Sequence, residues 1–453
     1  MKDLDRIFKA YDVRGVVPDE LDDEVARAAG AAFVRVVDAR AVVTAHDMRA
    51  HSVTLAAAFA DGVTSQGADV IEAGLAPTDL IYFAAGSLDL PGAVFTASHN
   101  PGRYGGIKLC RPGAAPVGME TGLAEVRDLV AGGVPAHDGA PGSVSQRDLM
   151  AAYAAYLREL VPLAGGRPLR VVIDAGNGMG GHSVPAVLGP EAHLTIDPLY
   201  FELDGTFPNH EANPIDPANL VDLQARVRDT GADIGLAFDG DADRCFIVDE
   251  TGGIVAPATV TGLIAARELA REPGSTIIHN LITSRSVPEI VREHGGTPVR
   301  TRVGHSFIKA EMARTGAVFG GEHSGHFYFR DFWRADSGML AALHVLAALG
   351  MSPEPLSVLL APFHRYAQSG EVNSAVADAP GRARAVQELF GGRDGATVDH
   401  LDGLTVDAFD AAGWWLNVRP SNTEPLLRLN VEAREQAQLD AITADVLTAI
   451  RES

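Results

Sequence analysis

The chain has 453 residues, 46% hydrophobic and 21% charged. That is the make-up of a folded globular protein of about three or four domains, not of a disordered chain. Its 37 Lys and Arg stand against 59 Asp and Glu, a formal net charge of −22, which argues against a nucleic-acid or anionic-membrane binder, because either needs a basic face. The longest apolar run, 338–351, is too short to cross a bilayer and contains His344. Two cysteines, Cys110 and Cys245, are too few for a disulfide framework or a cysteine zinc site. The first six residues lack the apolar segment of a secretory signal, so a cytoplasmic location is expected. Only Lys2, Lys9, Lys108 and Lys309 are lysines; where Arg supplies nearly all positive charge, an internal Lys stands out.

In chain order, β-rich runs alternate with helical periodicity. Apolar residues at 21, 25, 29, 32, 33 and 36 form a helical stripe, and 41–47, 68–75 and 92–98 read as strands. A second round has strands at 169–174, 232–238 and 245–248, with a helix at 219–230 stopped by Gly231. A third has strands at 275–282, 297–303 and 317–320 with helices at 258–272 and 306–315. Three αβ blocks of this kind predict parallel or mixed sheets with helices on both faces. The tail differs: strands at 413–419 and 425–433 flank a loop and precede a helix at about 435–451, a smaller α+β domain. The Gly- and Pro-bearing stretches 131–142 and 352–370 read as linkers. The expected domains are 1–143, 144–254, 255–366 and 367–453, a four-domain α/β chain.

Four loops carry chemistry. Thr96-Ala97-Ser98-His99-Asn100-Pro101 follows an apolar strand, and active-site groups in αβ sheets gather beyond the carboxyl ends of strands. Ser98 there is a nucleophile or else a turn residue; it lies in neither G-x-S-x-G nor S-x-x-K, so hydrolase and β-lactamase readings fail. Lys108 follows ten residues on. Asp239-Gly240-Asp241-Ala242-Asp243-Arg244 lies between two apolar strands. Alternate residues of an extended segment point to one side, so three carboxylates can meet on one hard cation, Mg²⁺ or Ca²⁺. An EF-hand is rejected because its sixth position, which needs Gly, holds Arg244.

Gly320-Gly321-Glu322-His323-Ser324-Gly325-His326 offers Glu, Ser and His beside glycines that admit a polar ligand, without the zinc spacing H-E-x-x-H. Arg419-Pro420-Ser421-Asn422-Thr423-Glu424-Pro425 combines a guanidinium fork with two hydroxyls, a phosphate-binding density of donors. Gly176-Asn177-Gly178-Met179-Gly180-Gly181 fits the dinucleotide fingerprint, with Asp197 about twenty residues on. A nicotinamide-dependent oxidoreductase is therefore the rival of a different class, although Pro185 interrupts the helix that should follow. No Lys precedes Ser or Thr, so there is no Walker A loop.

Together these loops resemble the α-D-phosphohexomutase superfamily along the whole chain, including Phe8-Lys9-Ala10-Tyr11-Asp12-Val13-Arg14-Gly15 and Asp174-Ala175-Gly176-Asn177-Gly178. The resemblance implies three related αβ domains and a C-terminal domain that closes on a sugar phosphate. It implies that Ser98 is carried as phosphoserine and that Asp239, Asp241 and Asp243 bind Mg²⁺ together with the Ser98 phosphate. Arg244, His99, Asn100 and Lys108 would surround the transferring group, with Lys108 or His326 taking the proton. Glu322 and Ser324 would hold sugar hydroxyls, and Arg419, Ser421, Asn422 and Thr423 the phosphate that does not react. Tyr11, Arg14 and His305 would complete the pocket.

The implied reaction interconverts mannose 6-phosphate and mannose 1-phosphate through a hexose 1,6-bisphosphate, which also acts as activator. The ligands are small sugar phosphates, and monomer and dimer both stay open. Asn422 points to the phosphomannomutase/phosphoglucomutase branch, since phosphoglucosamine mutases usually have Gly there. Two departures bear on the sugar: His323 stands where that branch commonly has Met, and Thr283 where some dual-specificity members have Lys. Glucose phosphates are the first alternative substrates and glucosamine phosphates the second.

Overall fold

A computed structural model describes residues 2–420 and 426–451. The first sheet has the order Val13–Val16, Tyr104–Arg111, Gly92–Phe95, Ala41–His46, Asp69–Leu75, Val144–Gln146, with Ala115–Pro116 added at Tyr104–Arg111. The second runs Ile254–Val255, Cys245–Asp249, Ile234–Phe238, Leu169–Asp174, Leu194–Leu199, and the third Thr297–Thr301, Thr276–Asn280, Phe319–Gly321, Phe327–Phe329, Ala335–Asp336.

The three sheets share one device. In each, a parallel strand buried on both faces turns back as an antiparallel hairpin: Gly92–Phe95 into Tyr104–Arg111, Ile234–Phe238 into Cys245–Asp249, and Phe319–Gly321 into Phe327–Phe329. The hairpin loops are the Ser98, Asp239–Arg244 and Glu322–His326 segments. The fourth sheet is wholly antiparallel, in the order Ala367–Ala375, Leu426–Ala433, Trp414–Pro420, Leu404–Asp407, Thr397–Asp399. Its central hairpin frames the fourth loop. A short antiparallel return places polar residues at the carboxyl end of a parallel strand, where the sheet opens to solvent.

The apolar run at 338–351 forms the helix Gly338–Gly350, buried at every residue and packed in one core with strands of the first three domains. Among the described residues no helix is long and apolar enough to cross a membrane. Buried groups also fasten the domains together. Asp79 of the first domain accepts from Tyr153 Oη of the second at 2.8 Å and from Ser337 Oγ of the third at 2.6 Å. Full burial pushes its carboxyl from 3.8 up to about 7, against the pull of those two hydrogen bonds.

The structure corrects three expectations. Val144–Gln146 pairs in parallel with Val70–Glu72, so the first domain reaches past 143, and Val255 still belongs to the second sheet. Sequence periodicity cannot assign so short a strand; its partner does. The 352–370 stretch is not a plain linker, for it holds the helix Leu356–Leu360 and the start of the strand Ala367–Ala375.

The dinucleotide-like turn is taken up structurally. Gly176 and Asn177 have φ of 51° and 58°, and Met179 N donates to Gly240 O at 2.9 Å. A Cβ on Gly178 would lie 2.7 Å from Gly240 O, and one on Gly181 2.2 Å from Phe201 O. These glycines admit the chain's own backbone where a cofactor reading would place a pyrophosphate.

Two outcomes are expected. Gly178→Ala should cost about 1–3 kcal/mol of stability in urea unfolding and lower turnover by displacing Gly240. Because Asp79 keeps its proton in the folded state at pH values where the unfolded chain has lost it, stability should fall as pH rises from about 4 through 7. Asp79→Asn should flatten that fall, read as urea midpoints at pH 5 and pH 8.

Candidate active site

Described residues of each of the four loops, among them Ser98, Asp243, His326 and Arg419, line a cavity of about 780 Å³. Ser98, at φ 50°, is held by its own loop: its N donates to Thr96 Oγ1 at 2.9 Å. Its Oγ donates to Asp239 Oδ2 at 2.8 Å across the first and second domains. The loop is nailed down by Arg49, a fully buried guanidinium that sequence reading passed over. Arg49 donates to Ser98 O at 2.8 Å, Asn100 O at 2.7 Å, Pro101 O at 2.9 Å and Tyr104 O at 3.2 Å, and Asp47 pairs with its Nε at 3.1 Å. Four carbonyls of one loop thus share one rigid fork, a task a lysine could not perform. Only its burial reveals it; in sequence Arg49 is one arginine among 33.

Asp239, Asp241 and Asp243 converge with oxygens within 4.8 Å of one another, all buried. They do so by a turn and not by the alternation of an extended segment: Ala242 N bonds Asp239 O at 3.0 Å, and Ala242 has φ 60°. Gly240 is required there, since a Cβ would meet Ser98 O at 2.4 Å. Lys108 Nζ donates to Asp241 Oδ2 and Asp243 Oδ2, each at 2.6 Å, and Thr78 Oγ1 to Asp241 Oδ2 at 2.6 Å. Arg244 pairs with Asp239 at 2.8 Å and donates through NH2 to His99 Nδ1 at 2.5 Å.

The electrostatics follow. Burial pushes the Asp239 carboxyl up, Arg244 opposes it, and the neighbouring aspartates push it higher to about 8. Burial works the same way on Asp241, but the Lys108 ammonium outweighs it and holds that carboxyl below the usual range. Lys108 is pulled down by burial and held above the ordinary lysine value by its two aspartates. His99 is kept neutral by burial and by Arg244 beside it. Asp241 Oδ1 and Asp243 Oδ1 are buried without a hydrogen-bond partner among the described residues. Two orphaned carboxylate oxygens facing a third carboxylate and a serine hydroxyl form an oxygen-only donor set that fits Mg²⁺.

The rest of the cavity wall includes Tyr11, Arg14, Asn100, His305, His326 and Arg419. Arg14 donates to Asn100 Oδ1 at 2.6 Å and pairs with Asp12. Tyr11 meets the His305 ring edge-on at 4.5 Å, and Gly304 is needed beneath it, because a Cβ would reach Tyr11 Oη at 2.5 Å. His326 Nδ1 lies 2.9 Å from Ser324 Oγ, while its Nε2 is 3.7 Å from Asp243 Oδ1.

Glu322 and Ser324 do not line the cavity. Both Glu322 oxygens are engaged by protein donors, with Gly304 N at 3.2 Å and Asn280 Nδ2 at 3.3 Å on one and Tyr328 Oη at 2.7 Å on the other. Ser421, Asn422 and Thr423 lie outside the described residues.

Further wall residues carry no motif in the sequence. Arg428 stands directly opposite Arg419 on the neighbouring strand, a like-charge pair that would repel. Glu371 resolves it by accepting from Arg419 at 2.9 Å and Arg428 at 3.0 Å. Behind the wall residues Asp336 and Tyr82, Lys309, the second internal lysine, is buried against Asp336 at 2.8 Å and lies 4.1 Å from the Tyr82 ring centroid. Its scarcity was the one available signal.

Family descriptions match in order along the chain: phosphoglucomutase/phosphomannomutase alpha/beta/alpha domain I over residues 5–132, domain II over 151–253, domain III over 258–366 and the C-terminal domain over 371–449. The chain is 39% identical to phosphohexose mutases of Xanthomonas campestris pv. campestris, covering 98% of this chain and 99% of the relative. It is 38% identical to a phosphomannomutase of Escherichia coli K12 over 98% and 99%. Among solved structures, a phosphoglucomutase/phosphomannomutase family protein from Burkholderia thailandensis matches with a TM-score of 0.89 at 33% identity, covering 100% of this chain and 99% of that one.

Arg49→Lys retains the charge and loses the fork. Turnover should fall at least about tenfold, with far-UV circular dichroism unchanged and loop proteolysis after residue 97 accelerated.

Proposed function

Because the chain belongs to the phosphoglucomutase/phosphomannomutase family, we propose that it is a phosphomannomutase, an isomerase that interconverts mannose 6-phosphate and mannose 1-phosphate. The single observation that carries this reading is the junction of Ser98 with Asp239 at 2.8 Å, beside a three-carboxylate cluster and two cations, at the base of a cavity of about 780 Å³. Relatives named phosphomannomutase at 36–38% identity over nearly the whole chain support the choice of sugar. The two buried cysteines are unpaired, in keeping with a cytoplasmic setting.

In the proposed cycle Ser98 carries a phosphoryl group and passes it to the free hydroxyl of a hexose phosphate. The Ser98 Oγ–phosphorus bond breaks, a sugar oxygen–phosphorus bond forms, and the result is a hexose 1,6-bisphosphate. The bisphosphate turns over in the cavity and returns its other phosphoryl group to Ser98. Asp239, Asp241 and Asp243 would hold Mg²⁺ with the Ser98 phosphate. Bound there, the ion would supply a Lewis acid that draws charge from the transferring oxygens.

Phosphoryl transfer rests on positioning and charge stabilisation. Arg244, locked on Asp239 and His99, and Lys108, locked between Asp241 and Asp243, bring two fixed positive charges without reorganising. In this reading Lys108, held by Asp241 and Asp243 at 2.6 Å each, stabilises the transferring group and does not take the sugar proton. His326 does: its ring lines the cavity with Nδ1 against Ser324 Oγ, and Nε2 faces Asp243 from 3.7 Å. Arg419 and Arg428, paired on Glu371, grip the phosphate that is not reacting. Tyr11, Arg14 and His305 shape the sugar's surroundings, and the fourth domain, closing over them, excludes water that would hydrolyse the phosphoserine.

Turnover of mannose 1-phosphate with a hexose 1,6-bisphosphate present should require Mg²⁺ and vanish after chelation. Ser98→Ala should abolish it; full turnover in that variant would falsify the cycle. His326→Ala should lower kcat by about 10²–10⁴ with KM little changed. Comparison of kcat/KM for mannose, glucose and glucosamine 1-phosphates decides the sugar, and mannose is expected to lead.

A further inference from the structure

Away from the catalytic cavity, a second cavity of about 190 Å³ opens on the seam between the third and fourth domains. Its wall comes from both sides: His279, Arg285, Arg292 and Arg300 from the third domain, and Thr405 and Asp407 from the fourth. Three guanidinium groups face one carboxylate. Arg285 is largely spent, since it pairs with Asp407 at 3.0 Å and also with Asp410. Arg300 has Asp399 at 2.8 Å and donates its NH2 to Thr405 Oγ1 at 3.2 Å. The side chain of Arg292, at the end of the helix Ser286–Glu293, makes no hydrogen bond or ion pair among the described residues.

His279 supplies the independent observation. It stands directly opposite Arg300 on paired parallel strands and is 6% exposed. Its Nδ1 lies 3.1 Å from Asn280 O. A carbonyl only accepts, so Nδ1 carries the proton and Nε2 presents a bare lone pair. Burial and the two nearby guanidiniums hold the ring neutral, at about 4. Nε2 has no partner among the described residues, an unmet acceptor on a ring nine-tenths buried in the cavity wall. The occupant that satisfies this wall is anionic toward Arg292 and Arg300 and offers an O–H to His279. At about 30 Å³ per water, the space holds several waters' worth of ligand.

We propose that this seam is a second phosphoryl-anion site, taking hydrogenphosphate or a small hydroxyl-bearing phosphate ester between Arg292, Arg300 and His279 Nε2. Thr405 and Asp407 of the fourth domain close the other side of the cavity, so a ligand that fills it favours by linkage the apposition of the fourth domain on the third. The site shares no wall residue with the catalytic cavity and does not depend on the catalytic reading.

The test is equilibrium dialysis of radiolabelled inorganic phosphate, with a parallel arm using mannose 1-phosphate, against the full-length protein and two variants. The unaltered protein should bind two equivalents in at least one arm. Arg292→Glu, a change of an exposed side chain outside the catalytic machinery, should weaken one of them at least about tenfold and leave basal turnover unchanged. Arg419→Ala should weaken the other and spare the seam equivalent, which separates failure of this site from failure of the catalytic one. The arm that shows the second equivalent identifies its source as free phosphate or ester. A single equivalent in both arms, or two equivalents untouched by Arg292→Glu, would overturn the proposal.

Discussion

Three buried carboxylates with oxygens within 4.8 Å of one another are the constraint on which this molecule is built. At 4 Å and an intermediate effective dielectric, each like-charged pair costs about 4 kcal/mol, so the cluster survives only where cations reach it. Arg244 comes from the same loop, but Lys108 comes from the first domain, and Thr78 and Ser98 come with it. The second domain cannot satisfy its own acidic loop. Its folding is completed by the first, and the contact that completes it is the contact that places Ser98.

The same logic repeats farther out. Arg419 and Arg428 oppose each other on neighbouring strands and are reconciled by Glu371 from a third. Lys309 and Asp336 are buried together beneath Tyr82 of another domain. Each arrangement holds charges in fixed positions at the edge of one cavity. A net charge of −22 is compatible with binding dianionic sugar phosphates because charges farther than about 8 Å are largely screened at physiological salt, whereas these fixed cations act at contact distance. Tight mutual pairing also means that little reorganisation is needed when charge moves during phosphoryl transfer.

Much of this was legible in the chain. Ser98 after an apolar strand, alternating aspartates between two strands, and the Glu322–His326 loop after another all lie at the cavity's edge or just behind it, because a polar cluster at the end of an apolar run has few other places to go. Lysine scarcity drew notice to Lys108, which lines the cavity and bonds two of the aspartates. Arg49 was not legible, since four carbonyls of one loop are invisible as a pattern, nor was Glu371, whose partners are 48 and 57 residues away. The glycine fingerprint at 176–181 is a weak match as a local pattern: its glycines serve close approach of Gly240 and Phe201, which only the packed domain brings near. Val144–Gln146 went to the wrong side of a boundary because three residues show no period.

The sequence by itself determined the number of domains, the α/β class, the four loops and the chemical character of each. Periodicity and local composition are properties of neighbouring residues, and these features depend on nothing else. The tertiary structure decided which groups meet: that the aspartates turn instead of alternating, that Lys108 is committed to two of them, that Glu322 is engaged by Gly304, Asn280 and Tyr328 instead of the open cavity, and that a histidine with one ring nitrogen and an arginine side chain both unpartnered among the described residues share the seam of two domains. Those outcomes depend on distances between residues tens to hundreds of positions apart, and such distances exist only once the sheets have packed.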